Sequence, residues 1–362
     1  MTTPFRVGFD TNPLYVSSAG IARYVRSLLA ALRALAPSSC DLFPLAWERP
    51  NLSYAQPARM LKTAYRELFW GRFIAPALLL RRDADLLHST GSLFIRAPRS
   101  IRHVVTLHDL SISRHPERFR RWQAHSWRRR QDVLRSADRI ICVSRFTADE
   151  AIKLLQLPAA TIDVVPLGID WHPDSLSLTE RAPSSALPSE FFLFVGSLEP
   201  GKNLALLREV WLHAENIGRP LPPLVIVGAR RPGVAREGAA PSNWRYLGWQ
   251  PDEALLFLYR RAHALLFPSI YEGFGIPVLE AMAVGCPVIC SPVASLPEVA
   301  GDAALFAPLT REGYEQRIRS LLADTTLRAD LIQRGHRNAA RFTWSHCAAG
   351  TLASYESALT SP

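Results

Sequence analysis

The first half of the chain alternates short runs of aliphatic and β-branched residues with longer amphipathic segments. The short runs predict strands, and the amphipathic segments predict helices. The predicted strands are 6–10, 86–88, 104–108, 140–144 and 162–166, and the predicted helices are 20–36 and 116–136. Because strands that alternate with helices are typical of a parallel sheet covered by helices, this half is predicted to be an α/β domain.

The same alternation begins again after a polar, proline-rich stretch at 171–188, which has the composition of a linker. The second half has predicted strands at 191–195, 224–227, 244–247, 264–267 and 287–290, and predicted helices at 203–216, 252–260, 277–284 and from 310 onward. We therefore expect two open α/β domains, at 1–170 and 189–342, and a C-terminal helix at 343–362 that packs back on the first. Ligands of such sheets bind beyond the carboxyl ends of the strands, so a cleft between the domains is the expected active site.

The bulk composition fits a folded protein of this kind. The 362 residues are 48% hydrophobic and 20% charged, which is too apolar for a disordered chain. The five cysteines are scattered without a CxxC pair, so they indicate neither a disulfide framework nor a zinc site. The N-terminus lacks the pattern of a signal peptide, and the most apolar run, 73–80, is far shorter than the roughly 20 residues of a spanning helix. We expect a cytoplasmic protein.

The net charge of +10 is unevenly distributed. Residues 1–170 hold 25 basic and 14 acidic side chains, whereas residues 171–362 hold 17 basic and 18 acidic ones. An anionic partner, whether nucleic acid, an anionic lipid surface or a phosphorylated substrate, should therefore be met by the first half.

The segment 267–289 carries the most specific chemical signal. It predicts a strand, a glycine-containing loop and a helix with Pro277 in its first turn, where the missing N–H costs nothing. Free backbone amides at such a helix end can hold an anion such as a diphosphate. Glu272 in the loop and Glu280 in the helix can then bind further groups of the same ligand, and a ribose diol suits a carboxylate. Taken alone, two such glutamates are more simply explained as a helix cap and a solvated helix face.

A second strand, turn and helix are predicted at 195–204, with the sequence Val-Gly-Ser-Leu-Glu-Pro-Gly-Lys-Asn-Leu. This pattern places Lys202 near a helix N-terminus, where it can pair with a phosphate as a point charge. The simpler explanation is a solvent-facing start of a helix.

These segments resemble those of the retaining family 4 glycosyltransferases, which have the GT-B fold of two Rossmann-like domains with parallel sheets. Glu272 and Glu280 match the family's E-x7-E motif, and Lys202 matches the lysine that grips the donor diphosphate. The resemblance extends over nearly the whole chain.

The chain departs from the family at a phosphate-binding arginine. Ser197 and Gly201 stand at positions where relatives carry that arginine. We expect either a less charged diphosphate site or compensation by Arg230 and Arg231, which follow the next predicted strand.

The strand end at 104–110, Val-Val-Thr-Leu-His-Asp-Leu, resembles that of mannosyltransferase-like members of the family. An isolated histidine at such a place is more often structural. The resemblance implies instead that His108 hydrogen-bonds a hydroxyl of the donor sugar, and that Asp109 orients the loop.

Further loops of the first half are similar to family segments. Gly20 would let the backbone approach the phosphates closely. Asp10 is equally well explained as a cap at a strand end, and Ser144 and Arg145 are expected to line the cleft. The implied catalytic residues are His108, Lys202 and Glu272. The implied donor-binding residues are Gly20, Gly196, Ser197, Lys202, Arg230, Glu272, Gly273, Phe274, Gly275, Ile276 and Glu280. The implied acceptor-side residues are Asp10, Asp109, Ser144 and Arg145.

The resemblance implies transfer of a sugar from a nucleotide diphosphate with retention at the anomeric carbon. The leaving diphosphate can accept the acceptor's proton while Lys202 and helix-end amides stabilise its charge. We expect no cofactor and no metal, because neither segment of the predicted donor site holds an Asp-x-Asp motif or a histidine cluster. The segments around His108 and Glu199 resemble mannosyltransferases of bacterial surface-polysaccharide assembly, so GDP-mannose is the expected donor and a glycan or lipid-linked sugar the expected acceptor.

Other functions stay open at this point. UDP-sugars remain possible donors, and a sugar-nucleotide epimerase can share the GT-B fold, although the E-x7-E match argues against it. A nucleic-acid-binding protein would explain only the charge, and no nucleic-acid-binding motif is present.

Two basic segments of the first half predict contact with an anionic membrane. Eight arginines lie between Arg114 and Arg135, with Trp122 and Trp127 among them, and the stretch 54–80 mixes basic and large apolar residues. Each basic residue near an anionic leaflet contributes about 1 kcal/mol, so we expect peripheral attachment at the inner face of the cytoplasmic membrane. The alternative is a solvated helix face.

Overall fold

The computed structural model describes residues 4–16, 20–35, 40–48, 59–91, 94–119, 121–171, 182–183, 187–230 and 238–360, with backbone alone at 59–60 and 121–125. The chain divides into two compact units, residues 1–168 with 343–362, and residues 169–342.

The first unit is built on a parallel sheet with the order β2-β1-β3-β4-β5-β6. Its described strands are β1 (Phe5–Asp10), β2 (Cys40–Leu45), β3 (Leu86–Ser89), β4 (Arg102–Leu107), β5 (Arg139–Cys142) and β6 (Ile162–Val164). Its helices before the second unit are α1 (Pro13–Val16), α2 (Gly20–Leu35), α3 (Arg59–Ala64), α4 (Ala75–Arg81), α5 (Ser111–Arg114), α6 (Arg121–Arg135) and α7 (Arg145–Leu155). Short 3-10 turns lie at Pro116–Arg118 and Ala159–Thr161.

This unit differs from the sequence-based expectation in several elements, and helices α3, α4 and α7 match no predicted helix. Strand β2 was not predicted, because it contains Asp41 and Pro44; it lies at the edge of the sheet, where a proline is tolerated. The single helix predicted at 116–136 is wrong, because Phe119 adopts an extended conformation (φ −117°, ψ 151°) between the 3-10 turn and α6.

A long helical stretch connects β2 to β3 in the described part of this unit. Between α3 and α4 the segment Tyr65–Ile74 is a π-helix. In the stretch 54–80, which was predicted to contact a membrane, residues 54–58 lie outside the described residues.

The second unit contains another parallel sheet, with the order β12-β11-β10-β7-β8-β9. Its described strands are β7 (Phe192–Val195), β8 (Leu224–Val227), β9 (Trp244–Gly248), β10 (Leu265–Phe267), β11 (Val288–Cys290) and β12 (Leu305–Phe306). Its helices are α8 (Leu204–Asn216), α9 (Asp252–Arg261), α10 (Ile276–Ala283), α11 (Leu296–Ala300), α12 (Arg311–Ala323) and α13 (Thr325–Ala339), with a 3-10 turn at Pro200–Lys202.

The cores explain why these segments form parallel sheets. Strands β3, β7, β8, β10 and β11 are buried at every residue, as expected for strands covered on both faces. In the second unit Trp211 of α8 and Tyr314 of α12 are fully buried against this sheet.

The last helix, α14 (Trp344–Thr360), belongs to the first unit and packs on α2, β4 and β5. A Cβ atom at Gly350 of this helix would lie 2.9 Å from Val165. The chain therefore returns to its first unit after completing the second.

Two tryptophans lie in surroundings that differ from those predicted. Trp127 is expected among membrane-facing arginines, but its side chain is buried in the core beside β4 and β5. Its Nε1 donates to Ser113 Oγ at 2.7 Å. Trp171, at the start of the predicted linker, is buried and packs edge-on against Tyr259 of the second unit at 5.6 Å. Trp122 has no described side chain.

Candidate active site

The loops that follow β7 and β10 lie side by side, because these two strands are neighbours at the centre of the second sheet. The first loop runs from Gly196 into the 3-10 turn, and the second runs to Gly275, the residue before α10. The N–H of Ile270 donates to the carbonyl of Gly201 at 3.0 Å and ties the loops together. The two segments that the sequence singled out are therefore parts of one site.

Lys202 and Glu272 form an ion pair between these loops, with the Lys202 Nζ on Glu272 Oε1. The side chains are only 19% and 12% exposed, so water and salt screen the pair less than one on the surface. The Lys202 ammonium also lies over the ring of Phe267, 5.2 Å from its centroid. Its aliphatic stem runs past Gly196, where a Cβ atom would lie 3.6 Å away.

Close backbone packing fixes the loop after β7. A Cβ atom at Gly228, which has a φ of +138°, would lie 1.8 Å from the carbonyl oxygen of Gly196, so only glycine fits there. Leu198 forms an isolated parallel bridge with Arg230. Arg230, one of the two expected substitutes for the family's arginine, is thus attached to the loop that carries Lys202.

Ser197 is exposed in this loop, and its Oγ donates to Glu199 Oε1 at 3.2 Å. It adds no positive charge at the position where relatives carry the arginine. Arg231, the other expected substitute, lies outside the described residues.

The loop after β10 is held by a buried serine. Ser295 Oγ lies 3.0 Å from the carbonyl oxygen of Glu272 and 2.9 Å from that of Phe274, so its single proton is shared between them. Gly275 has a φ of +108°, and a Cβ atom there would lie 2.8 Å from the side chain of Leu296. The backbone around Glu272 is therefore rigidly positioned.

Helix α10 begins at Ile276, directly after this loop, and no side chain caps its first turn. Its N-terminal amides and the positive end of the helix dipole can therefore attract an anion. Glu280 lies just over one turn into the helix and is 5% exposed, and Tyr259 Oη donates to its Oε2 at 3.2 Å. Gly273 and Phe274 are buried in the loop between the two glutamates.

In the first unit, His108 follows directly after β4 and is half-buried. Its Nε2 donates to the carbonyl of Thr90 at 2.7 Å. Thr90 follows β3, which is the neighbour of β4 in the sheet. Burial lowers the pKa of His108, although the Thr90 carbonyl and Asp109 oppose the shift. The imidazole is therefore neutral at pH 7, and Nδ1 is the atom by which it would bind a sugar hydroxyl.

Asp10 is the last residue of β1 and is fully buried. Its Oδ1 accepts from the backbone N–H of Asn12 at 3.0 Å and from Asn12 Nδ2 at 2.8 Å. Thr90 Oγ1 donates to the Asp10 carbonyl at 2.7 Å and so links Asp10 to the residue that holds His108.

Behind His108 lies a fully buried polar network. His88 Nε2 and Thr106 Oγ1 are hydrogen-bonded at 2.8 Å, and His88 Nδ1 and Tyr355 Oη at 2.7 Å. Burial, reinforced by His103 and His108, lowers the pKa of His88 to about 3. Burial also lowers the pKa of His103 to about 4 against the opposing effect of Asp138.

The other predicted residues of the first unit lie at helix starts. Gly20 is the exposed first residue of α2. Ser144 is buried and caps α7 by accepting from the Thr147 N–H at 3.0 Å, and Arg145 is the exposed first residue of that helix. Asp109 Oδ1 accepts from the Ser111 N–H at 2.8 Å and fixes the turn before α5. Their proposed roles toward ligands stay predictions.

Sequence reasoning missed four residues that shape these sites. Ser295 and Thr90 hold the loops by polar contacts to backbone carbonyls, which leave no periodic signal. Phe267 and Tyr259 appear in the sequence only as core positions of β10 and α9. The glycine at position 228, directly after a predicted strand, was the one available signal of a close backbone approach.

The sequence contains one Asp-x-Asp, at Asp83-Ala84-Asp85, which lies before β3 at the amino end of the first sheet. Asp85 Oδ2 accepts from the backbone N–H of Arg6 at 2.7 Å there. Among the described residues, no three His, Cys, Asp or Glu side chains come together as metal ligands. Within the same ranges, no helix has the length and apolarity needed to cross a bilayer.

Two family models match the chain in succession. The model of glycosyltransferase family 4 matches residues 18–172, and that of glycosyl transferases group 1 matches residues 179–338.

One relative matches nearly the whole chain, and another matches part of it. The O-antigen chain mannosyltransferase B of Escherichia coli is 32% identical and covers 97% of this chain and 99% of its own. The serotype-specific mannosyltransferase WbdA of the same organism is 29% identical over 59% of this chain and 28% of its own. The solved structure of a sucrose-phosphate synthase from Thermosynechococcus elongatus superposes with a TM-score of 0.74 at 21% identity, covering 97% of this chain and 98% of that one. The chain has the GT-B fold and belongs to the family 4 glycosyltransferases.

Proposed function

We propose that this glycosyltransferase transfers mannose from GDP-mannose, with retention of configuration, to a glycan or lipid-linked acceptor. The observation that carries the proposal is the Lys202–Glu272 pair beside the start of α10. A diphosphate bound there would meet a cation and the positive end of a helix, next to a carboxylate that can accept from hydroxyls. The choice of mannose is supported by the names of the two E. coli relatives.

In the proposed reaction the bond between the anomeric carbon and the diphosphate oxygen breaks, and a bond to the acceptor oxygen forms on the same face. The acceptor's proton passes to the leaving diphosphate. Lys202 and the amides of α10 stabilise the negative charge that develops there, so the proposal requires no metal ion.

The Lys202–Glu272 pair suggests how binding is coupled to catalysis. A diphosphate competes with the Glu272 carboxylate for the Lys202 ammonium. As Lys202 turns to the phosphates, the Glu272 carboxylate becomes available to hydroxyls of the sugar. Glu280 is proposed to hold the ribose, exchanging its hydrogen bond from Tyr259 for one from a ribose hydroxyl. His108 is proposed to bind a sugar hydroxyl through Nδ1.

The excess positive charge of residues 1–170 supports an acceptor carried on an anionic surface. We therefore place the enzyme in the cytoplasm, attached peripherally to the inner face of the cytoplasmic membrane.

The donor is tested by incubating the protein with GDP-mannose, UDP-glucose and ADP-glucose and measuring nucleoside diphosphate release in the presence and absence of EDTA. GDP release that EDTA leaves unchanged is expected. Release of UDP alone would replace GDP-mannose by a UDP-sugar, and an isomerised nucleotide sugar without release would indicate an epimerase. The anomeric configuration of the product, read by NMR, tests retention.

A further inference from the structure

The first unit contains a basic surface pocket that the proposed reaction does not use. It has a volume of about 300 Å³ and lies between the π-helix, α6 and the segment after β3. Its basic and acidic lining residues, here called the arginine pocket, are Arg72, Arg96, Arg129, Arg130 and Glu67. Among the described lining residues, four arginines against one glutamate leave a formal surplus of three positive charges. One water molecule needs about 10–15 Å³ of such space, so the volume accommodates a phosphate group.

The positive charge of this pocket is largely uncompensated within the described ranges. Arg130 contacts Glu67 at 3.3 Å, and its Nε has no hydrogen-bond partner there. Arg72, Arg96 and Arg129 have no carboxylate partner among the described residues. Arginine presents its N–H groups as a planar fork that matches the oxygens of a phosphate.

A neighbouring buried arginine adds to the positive charge around the pocket. Arg66 is 8% exposed, contacts Glu67 at 3.6 Å and lies over the ring of Phe94, which also lines the pocket. Its Nε and Nη1 have no hydrogen-bond partner among the described residues. Glu67 is thus shared by Arg66 and Arg130 and cannot neutralise the other arginines.

An apolar surface lies along the same helical stretch. It consists of six large side chains that are between 42% and 73% exposed, here called the apolar ladder: Leu61, Tyr65, Leu68, Phe69, Phe73 and Leu80. The rings of Tyr65 and Phe69 lie 5.4 Å apart, and those of Phe69 and Phe73 lie 5.6 Å apart. Leu68 belongs both to the ladder and to the wall of the pocket, so the two surfaces are continuous.

We propose that the arginine pocket binds the phosphate of an anionic membrane lipid while the apolar ladder lies in the acyl region of the bilayer. A soluble phosphate would use the arginines but leave six apolar side chains in water. A nucleic acid would likewise use the charge and not the ladder. A lipid uses both, because its phosphate stands at the boundary between water and hydrocarbon, where helices with exposed aromatic and basic residues lie.

This inference rests on the proposed membrane attachment and assigns it a site. Binding is measured by sedimentation with vesicles of phosphatidylcholine alone and of phosphatidylcholine with phosphatidylglycerol, without any nucleotide sugar. The pocket variant is R72Q/R96Q/R129Q. The matched control, R26Q/R33Q/R99Q, removes three exposed arginines of the same unit outside the pocket. Circular dichroism and thermal unfolding verify that both variants fold.

We expect the wild type to prefer the anionic vesicles, the pocket variant to lose about tenfold or more of its partition coefficient, and the control to lose less than about threefold. The variant R72K/R96K/R129K keeps the charge but not the fork and should bind about threefold more weakly than the wild type. Equal losses in the pocket and control variants, or unchanged binding by the lysine variant, would overturn the pocket. A different result would contradict membrane attachment itself, namely equal binding of the wild type to the two kinds of vesicle.

The source of the phosphate is tested with F69S/F73S and with soluble probes. Loss of about tenfold in vesicle binding by F69S/F73S supports a lipid, since these rings bury apolar surface only in a bilayer. Unchanged vesicle binding by F69S/F73S would overturn the lipid assignment. The lipid assignment would also be overturned by a soluble probe, either glycerol 1-phosphate or a duplex oligonucleotide, that binds as tightly as the vesicles do. The binding of that probe would have to be weakened by R72Q/R96Q/R129Q as much as vesicle binding is. GDP release from GDP-mannose is assayed in parallel, so loss of the donor activity is recognised independently.

Discussion

The two units carry their candidate groups after the two central strands of each sheet, but the groups differ in charge. In the second unit the groups after β7 and β10 are the formally charged pair Lys202 and Glu272. In the first unit the groups after β3 and β4 are a backbone carbonyl, that of Thr90, and a histidine that burial keeps neutral, His108.

This difference suggests a division of tasks. A fixed cation and helix-end amides suit a diphosphate, whose charge grows as the sugar leaves. A neutral imidazole suits a sugar hydroxyl, because its unprotonated Nδ1 can accept a hydrogen bond from the hydroxyl without attracting a competing anion. The cost of the neutral arrangement is a dependence on pH, because protonation would turn the imidazole into a cation.

The largest effect should follow from removing the cation. K202A is expected to lower kcat/KM for GDP-mannose by about 10²–10³-fold, because the developing charge on the diphosphate loses its lysine. E272A should have a comparable effect by losing the contact to the sugar. The double variant should be little worse than either single one, since the two side chains act as a pair.

The matched control for this experiment is K153A, which removes an exposed lysine of α7. It should keep wild-type kinetics. Wild-type rates in both K202A and E272A would contradict the assignment of the site.

The next largest effect is a loss of stability of the first unit at mildly acidic pH. His88 and His103 stay neutral in the folded state because their pKa values are about 3 and about 4. Once unfolded, they bind protons below pH 6.5, so the free energy of unfolding falls as the pH falls through this range and is unaffected above it. The expected loss is about 2 kcal/mol for each histidine at pH 5.

Urea unfolding at pH 7.5 and pH 5 measures this loss. H103Q should reduce the pH dependence by about 2 kcal/mol whatever its effect on the stability itself, whereas H346Q, at an exposed position, should not. Among the described residues of the second unit, burial also lowers the pKa of His263. Hydrogen bonds from Arg319 and His213 lower the pKa of Glu315 despite its desolvation, and this contribution is lost only at more acidic pH. An unchanged pH dependence in H103Q would be evidence against the buried neutral histidines.

The comparison of the two units also explains what could be predicted from the sequence. Periodicity predicted ten of the twelve described strands but not helices such as α3, α4 and α7. The roles of the E-x7-E loop and of Lys202 came from the resemblance to the family, because the residue types alone had simpler explanations. The pairing of Lys202 with Glu272 could not be predicted, because it depends on which strands are neighbours in the sheet. Strand β2 was missed because Pro44 argues against a strand unless the strand is known to be at an edge.

Two buried hydroxyls allow a direct test of how rigid each loop must be. S295A removes the shared donor to the carbonyls of Glu272 and Phe274, and T90V removes the donor to the carbonyl of Asp10. Each should lower the free energy of unfolding by about 1–2 kcal/mol. S295A should in addition lower kcat by several-fold, because the lost bond positions the backbone of Glu272. A contrary result is that S295A loses as much stability as T90V and still has the kcat of the wild type. That result would show that loop rigidity in the second unit does not serve the reaction.

The smallest effect, and the finest test of the charged arrangement, is expected from S197R. Ser197 is exposed, so an arginine can be introduced without disturbing the core, at the position where many family members carry one. An exposed ion pair contributes about 0.2–1 kcal/mol, so the affinity for GDP should rise by about 1.5- to 5-fold in calorimetric titrations. S197Q, which has similar length and no charge, should bind GDP like the wild type. If S197R gains nothing while R230Q loses affinity, the positive charge missing at position 197 is already supplied by Arg230, the residue bridged to Leu198 in the same loop.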